Sequence, residues 1–412
     1  MELANRDVLV LGASVAGPTL AYWLRRYGFN PTVVERTPLL RTGLGGHAVD
    51  LFGPAVDIVE RMGVLPQVME ARTRTEVLSF VRPGRAPIDI DMSRLVAVVA
   101  DRHVEVMRGE LASILHEATR EGVEYIFGDT ITSLLEDDDG VNVTFEHAVP
   151  RRFGMVVGAD GLHSAVRGLL FGDERRFLRY IGGYFAVFTL PNYLELDGRM
   201  VIYNAPGKVV GMYPVRQTGE ARAVVLFRRA EQFAYDYRDR EQQKQLIRET
   251  YAGEGWEVPR LLAELTDADD LYFDSISQVI MDDGWSRGRA TLVGDAGYSP
   301  GPAVGGGTSI AMVGAYVLAG ELLRAGGDPA VAFPNYENET RQFARLSRNI
   351  GTTSMKVLIP QTPLQITTTL HALRVLTRLP GFVQRKVSSL QGGPGRALAA
   401  VEIKDYESDR RV

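Results

Sequence analysis

"DVLVLGASVAGPTLAYWLRRYGFNPTVVE", Asp7 to Glu35, decides how the chain begins to fold. The apolar run "DVLVL" has the composition of a short buried strand. A tight turn then leads into a helical segment, and a second apolar run, "PTVVE", ends in an acid. This is a β-turn-α-β unit with Gly12, Ser14 and Gly17 in the three small-residue positions of G-x-G-x-x-G. Gly12 permits the sharp exit from the strand. Ser14 is small enough for backbone to approach a pyrophosphate, and Gly17 lets the helix pack closely on the strand. With Ala13, Val15 and Ala16 between them, the loop is bare, and the helix N-terminus behind it offers free N–H groups and a positive dipole end to phosphate. Glu35 stands 23 residues after Gly12, where a carboxylate can accept both hydroxyls of an adenosine ribose. That acid disfavours a 2′-phosphate, so the expected dinucleotide is FAD or NAD rather than NADP.

The rest of the composition narrows the class. A chain of 412 residues suits two intimately packed domains, and 45% hydrophobic with 24% charged residues is ordinary for a globular protein. A net charge of −5 argues against nucleic-acid binding. With no cysteine, disulfides, thiolate nucleophiles, Cys-ligated zinc and iron–sulfur clusters are excluded. No two of the six histidines stand at i, i+2 or i, i+4, so no local His-pair metal site is expected. The N-terminus enters a strand pattern without a signal peptide, and no run reaches the roughly 18 apolar residues of a spanning helix, so a cytoplasmic protein is expected.

Two later segments choose between the dinucleotides. "VVGADGLHSAVR", Val156 to Arg167, reads as a buried strand, a tight turn at Asp160-Gly161 and a helix start. "GDAGYSPGPAVGGGTS", Gly294 to Ser309, follows the strand "ATLV" and precedes the apolar run "IAMVGAYVLAGELL". Asp295, at a strand end beside a cofactor cleft, can hydrogen-bond a polyol chain. A glycine-rich turn lets a flat ring lie against backbone, and a helix N-terminus behind it stabilises the negative charge of a reduced isoalloxazine. The bare loop thus serves a ring that needs backbone rather than side chains.

Together these segments resemble the class A flavoprotein monooxygenases, the single-component family of p-hydroxybenzoate hydroxylase and the tetracycline-inactivating monooxygenases. The family's Gly-rich fingerprint, DG motif and GD motif are matched by "GASVAG…E", "GADGLHSAVR" and "GDAGYSPGPAVGGG" over residues 1 to about 340. "GGHAVDL", Gly45 to Leu51, is similar to the loop beside the flavin ring, and "RGELASIL", from Arg108, to the helix whose arginine contacts the ribityl-phosphate region. The chain departs from the family at Tyr298 (often His), Gly306 (often Gln), Ser309 (often Asn), Gly314 (often Asp) and Ser14. The resemblance implies FAD as cofactor, with Gly12, Ala13, Ser14, Val15, Ala16, Gly17, Glu35, Arg36, Arg41, Arg108, Asp160, Gly294, Asp295, Pro302, Gly305, Gly306, Gly307 and Thr308 as its binding residues. It also implies NADPH or NADH as electron donor, O2 as co-substrate and oxygen transfer through a flavin C4a-hydroperoxide to an aromatic or polyketide-like small molecule. Hydroxylation and Baeyer–Villiger oxygenation stay open, and no essential acid–base residue is implied. A flavin reductase without oxygen insertion, or a flavoprotein that only sequesters an aromatic ligand, are the alternatives.

Other residues have two readings each. Arg36 and Arg41 flank the adenine and phosphates or are solvated loop arginines. Asp160 braces the pyrophosphate or only forms its turn. Arg167 meets a passing NAD(P)H or is a salt-bridged surface arginine. The segments "YIGGYFAVFTL", "RMVIYNAP", "KVVGMYPVR" and "ARAVVLFRR" alternate like antiparallel strands with hairpins, and they would roof the flavin. His47, Tyr184, Tyr203, Met212, Tyr213 and Phe227 are the candidate substrate-pocket walls. The expected fold is α/β: a Rossmann-like FAD-binding domain (1–70, 104–175, 281–340) interleaved with a β-sheet substrate domain (71–103, 176–280). A C-terminal helical segment (341–412) is expected to brace the two rather than touch a membrane.

Overall fold

The computed structural model describes residues 5–40, 46–99, 102–302, 306–379 and 403–408. Its first layer is a six-stranded sheet in the order Ser286–Arg287, Ala290–Leu292, Met155–Gly158, Asp7–Leu11, Asn30–Glu35 and Glu124–Phe127. All neighbours run parallel except the Ser286–Arg287 edge. Val10 is paired with Val33 on one side and Val157 on the other. A parallel sheet covered on both faces needs continuous apolar runs, and "DVLVL" and "PTVVE" are such runs. Helix Ala16–Arg26 covers one face together with helix Gly307–Arg324, whose residues from Ser309 to Leu322 are all buried. A helix apolar all round belongs inside a core, which accounts for the unbroken "IAMVGAYVLAG".

The second layer is a seven-stranded sheet. Its order is Tyr272–Val279, Leu178–Pro191, Glu220–Arg228, Lys208–Val215, Arg199–Ala205, Val77–Arg82 and Arg85–Asp91. Every pair is antiparallel except Arg199–Ala205 with Val77–Arg82. Both faces of this sheet are buried over its central strands, while the edge strand Arg85–Asp91 buries only Ile88 and Ile90. Tyr184, Phe188, Met212 and Phe227 face helices Arg240–Tyr251 and Val258–Asp267 in one core. Phe185, Val187, Tyr213, Val224 and Leu226 face the other way, toward the first layer. The period of two along a strand sets this division. Between the layers stands a two-stranded ribbon, Ala48–Phe52 against His103–Met107.

A 30-residue helix, Pro329–Leu358, links the layers. It buries Phe333 and Tyr336 in the core of the parallel sheet and Met355 against the inner face of the second sheet. Helix Pro363–Arg378 then lays Leu370 on Leu78, Phe80, Ile88 and Ile90. The expected α/β fold is the one observed, and the bracing helix, Pro329–Leu358, starts ahead of the expected 341–412 segment; residues 380–402 and 409–412 of that segment lie outside the described residues. Among the described residues no helix is long and apolar enough to cross a membrane.

Candidate functional site

The cleft between the layers has two joined lobes that share Ser14, His47, Arg108, Ala159, Gly161 and Tyr272. The first, of about 1170 Å³ counting space open to solvent, is built on the Asp7–Glu35 unit. Gly12 has φ +104°, and a Cβ there would stand 2.4 Å from the Ala159 carbonyl oxygen. A Cβ on Gly17 would stand 1.8 Å from the Gly12 carbonyl oxygen. Both glycines are therefore required by backbone contacts. Glu35 accepts a hydrogen bond from the Ala13 N–H at 2.9 Å and others from the Thr37 N–H and hydroxyl, which fix its carboxylate at the mouth of the loop. Arg108 opens helix Arg108–Glu117 and donates from Nε to the Ser14 hydroxyl at 3.0 Å. Arg36 is exposed at the edge of this lobe.

The second lobe, of about 1530 Å³ on the same measure, lies between the glycine-rich helix start and the inner face of the second sheet. Gly306 has φ +82° and caps helix Gly307–Arg324 without any side-chain bond. The first N–H groups of that helix therefore face the lobe uncapped by side chains. Asp295, at the start of the short helix Asp295–Tyr298, lines the same lobe, and its half-buried carboxylate has no hydrogen-bond partner among the described residues. Opposite are Phe185, Met200, Val224 and Leu226, an apolar face. The ribbon adds a polar wall: Asp50 and Glu105 are paired directly across it. Burial, reinforced by Asp50, pushes the Glu105 carboxyl above the usual carboxylate range, although Thr73 and Thr75 donate to it.

The cleft brings together most of the sequence-derived cofactor residues. Gly12, Ala13, Ser14, Glu35, Arg36, Arg108 and Asp160 line the first lobe; Val15, Ala16, Asp295, Pro302, Gly306, Gly307 and Thr308 line the second. Gly17 and Gly294 stand behind the surface, where they allow close packing: Gly294 has φ +66° and its Cβ would lie 3.1 Å from Ala311 Cβ. Arg41 and Gly305 lie outside the described residues. A bare glycine turn, a free N-terminal helix end and an unpartnered carboxylate are the donor and acceptor set that a flat ring, a pyrophosphate and a polyol require, so the residues present fit FAD.

Several residues stand elsewhere than the sequence suggests. Asp160 does not present its carboxylate to the cleft as a free group. It accepts from the Ser164 hydroxyl at 2.6 Å and from the Ala165 and Val166 N–H groups, capping helix Ala165–Phe171. Burial pushes its carboxyl upward against those bonds. Arg167 is not on the surface: it is fully buried and donates to the carbonyls of Ala296 and Leu162. Of the six candidate pocket walls, His47 and Tyr213 line the cleft. Tyr184, Tyr203, Met212 and Phe227 do not; they occupy the opposite face of the sheet, packed into the outer core. Phe185 and Leu226, adjacent in sequence to Tyr184 and Phe227, take cleft positions instead, with Val224 two residues before Leu226. Alternation was visible in "ARAVVLFRR", but alternation leaves open which set faces the cofactor.

His47 meets Phe185 edge-on at 5.2 Å between centroids. Burial, with Arg108 adding to it, pushes its imidazole down to about 3, so the ring is neutral at pH 7. The Tyr213 hydroxyl accepts from the Ala48 N–H at 3.0 Å, which ties the His47–Ala48 backbone to the second sheet.

A two-layer α/β fold with a dinucleotide cleft at its junction is the arrangement expected of an FAD-dependent oxidoreductase. The comparisons with known proteins are specific on this point. The model of the FAD binding domain family matches residues 5–347. An uncharacterised protein of Mycobacterium tuberculosis is 46% identical over 340 residues, covering 82% of this chain and 90% of its own length. A flavin-dependent monooxygenase of Legionella longbeachae is 38% identical over 347 residues, 84% of this chain and 88% of its own. The crystal structure of tetracycline destructase Tet(55) superposes with a TM-score of 0.83 at 34% identity, covering 98% of this chain and all of that one. The chain belongs to the FAD binding domain family, and within it to the flavin-dependent monooxygenases.

Proposed function

We propose that this protein uses NADH or NADPH and O2 to oxygenate an aromatic or polyketide-like small molecule. The residues 1–70, 104–175 and 281–340 hold FAD, and 71–103 with 176–280 cover the substrate. The observation that carries this reading is the second lobe: an uncapped, glycine-rich helix end faces an apolar sheet face across a space wide enough for a ring system. The likeness to a tetracycline destructase at 34% identity over nearly the whole chain supports a polycyclic substrate.

FAD, when bound, supplies hydride acceptance and oxygen activation. The chain's own residues do the rest. The N–H groups at the start of Gly307–Arg324 stabilise negative charge that develops nearby, since the donors are preorganised in a site of low dielectric. Asp295 accepts from a polyol. Phe185, Val224 and Leu226 exclude water and hold an apolar ring face. Tyr213 accepts from the Ala48 N–H and so fixes the backbone of the flanking strand, while neutral His47 packs edge-on against Phe185. The test is an absorbance spectrum of the purified protein, followed by NAD(P)H oxidation in air with a panel of polycyclic phenols. Bound flavin with substrate-stimulated oxidation and a product heavier by one oxygen is expected. Flavin without any oxygenated product would refute oxygenation, and a colourless protein that FAD cannot reconstitute would refute the cofactor site. Asp295→Ala is expected to weaken FAD binding; a variant that retains flavin with unchanged affinity removes the polyol assignment.

A further inference from the structure

His163 lies at the lip of the first lobe, in the turn that follows Asp160-Gly161. Its two ring nitrogens are both engaged. Nδ1 lies 3.1 Å from a Glu174 carboxylate oxygen, in the short 3-10 turn Glu174–Arg176, and Nε2 lies 3.2 Å from Asp274, in strand Tyr272–Val279. An imidazole between two carboxylates satisfies both bonds only when both nitrogens carry protons. The ring stacks on Tyr237 with centroids 4.1 Å apart and planes 5° from parallel. Glu174 also lies 3.6 Å from the buried guanidinium of Arg167, which donates to the Ala296 carbonyl just after Asp295. Asp274 is held further by Tyr235 and by the Ser275 N–H.

These contacts form one chain of alternating charge: Arg167, Glu174, His163, Asp274. It starts at the backbone beside Asp295, passes the turn that carries Gly161 and ends on the strand that carries Tyr272. Gly161, Tyr272 and Asp295 each line the cleft from a different element.

We propose that His163 is a positioning residue that, as an imidazolium clamped between Glu174 and Asp274, sets the separation of the cofactor-side turn from the second sheet and so the width of the flavin cleft. The proposal rests on the FAD reading for its functional consequence but not for the clamp itself. Burial opposes the charge on His163, yet the bonds to Asp274 and Glu174 outweigh it and raise the ring to about 9. The groups facing it are Glu174, Asp274, Tyr237 and, through Glu174, Arg167; Asp160 in the same turn is occupied by Ser164. Because the folded value lies above the unfolded one of about 6.5, the clamp's stabilisation is complete below about pH 6.5 and vanishes as pH rises through about 9.

The experiment uses the full chain. Imidazole resonances of the apoprotein are titrated by NMR, His163 being assigned by its loss in His163→Gln, and the FAD dissociation constant is measured from pH 6 to 10 for both proteins. The expected result is a His163 ring that titrates well above ordinary histidine, with wild-type affinity falling roughly tenfold across that same range. His163→Gln is expected to bind FAD weakly at pH 7 already, with no such pH step. Should that variant not fold, His163→Asn serves for the assignment, and the wild-type pH step in FAD affinity decides without either. A His163 ring that titrates near the ordinary value, or a variant with wild-type affinity at pH 7, overturns the proposal. A wild-type protein that binds no FAD, but whose thermal stability drops as His163 loses its proton, overturns the cofactor reading and upholds the clamp.

Discussion

The Tyr298 hydroxyl oxygen lies 1.9 Å from the point that a Cβ on Gly314 would occupy. Tyr298 rises from the short helix that starts at Asp295, reaches across to Gly314 of helix Gly307–Arg324, and bonds the hydroxyl of Tyr336 in helix Pro329–Leu358 at 2.9 Å. Tyr336 in turn donates to the Leu292 carbonyl at 2.9 Å. Tyr298 and Gly314 are two of the positions where this chain departs from the resembled family, which often has a smaller His and a larger Asp there. One departure makes room for the other.

Gly314→Ala is accordingly expected to destabilise the fold by about 1–3 kcal/mol through overpacking. Tyr298→Phe in the same chain removes the clashing oxygen and should recover part of that loss. Urea unfolding of the two single variants and the double variant measures the coupling. Strictly additive effects would show that the two positions do not share this space.

Glu35 fixes the Ala13 N–H and faces the first lobe, so Glu35→Ala removes an acceptor for the ribose and loosens the loop at once. Charge-assisted bonds are worth about 1.5–3 kcal/mol, which corresponds to roughly 10–100-fold weaker FAD binding. Flavin fluorescence on titration of the apoprotein reports it. An unchanged dissociation constant would remove Glu35 from the site.

The two faces of the second sheet should respond differently to substitution. Phe227→Ala, in the outer core, is expected to cost about 3–5 kcal/mol of stability. Leu226→Phe, one residue earlier, narrows the chamber, so it should raise KM for a bulky substrate while the melting temperature moves only slightly. The reverse pattern would mean that the chamber lies on the other side.

His47 predicts a pH dependence on the acid side. Its folded value of about 3 lies below the unfolded value of about 6.5. The unfolded chain therefore binds the extra proton between these limits, and stability is complete above about pH 6.5 and falls as pH drops toward 3. His47→Phe should flatten that acid slope in thermal melts taken from pH 7 to 4. A slope equal to that of the wild type would assign the loss to other groups.

The Asp7–Glu35 unit was legible because its contacts close within thirty residues: the Gly12–Gly17 approach and the Glu35–Ala13 bond both follow from spacing. The helix start at Gly306-Gly307 was legible because a glycine pair ahead of a long apolar run marks one locally. Less local relations were not. Asp160 looked free to meet a ligand because nothing in the sequence says that Ser164 and two backbone N–H groups consume its oxygens. Tyr184, Met212 and Phe227 were placed on the wrong face because period-two patterning defines two sets of residues without orienting them, and here both sets are apolar. The role of His163 could not be read at all, since its partners are 11 and 111 residues away.

That doubly buried sheet also bears on how such an enzyme can change. Residues 185, 224 and 226 touch the chamber, while 184, 225 and 227 sustain a separate core against helices Arg240–Tyr251 and Val258–Asp267. Substrate range and structural robustness are thus written on alternate positions of the same strands. A lineage can remodel what it oxidises through one set of positions and leave the other set, and with it the fold, untouched.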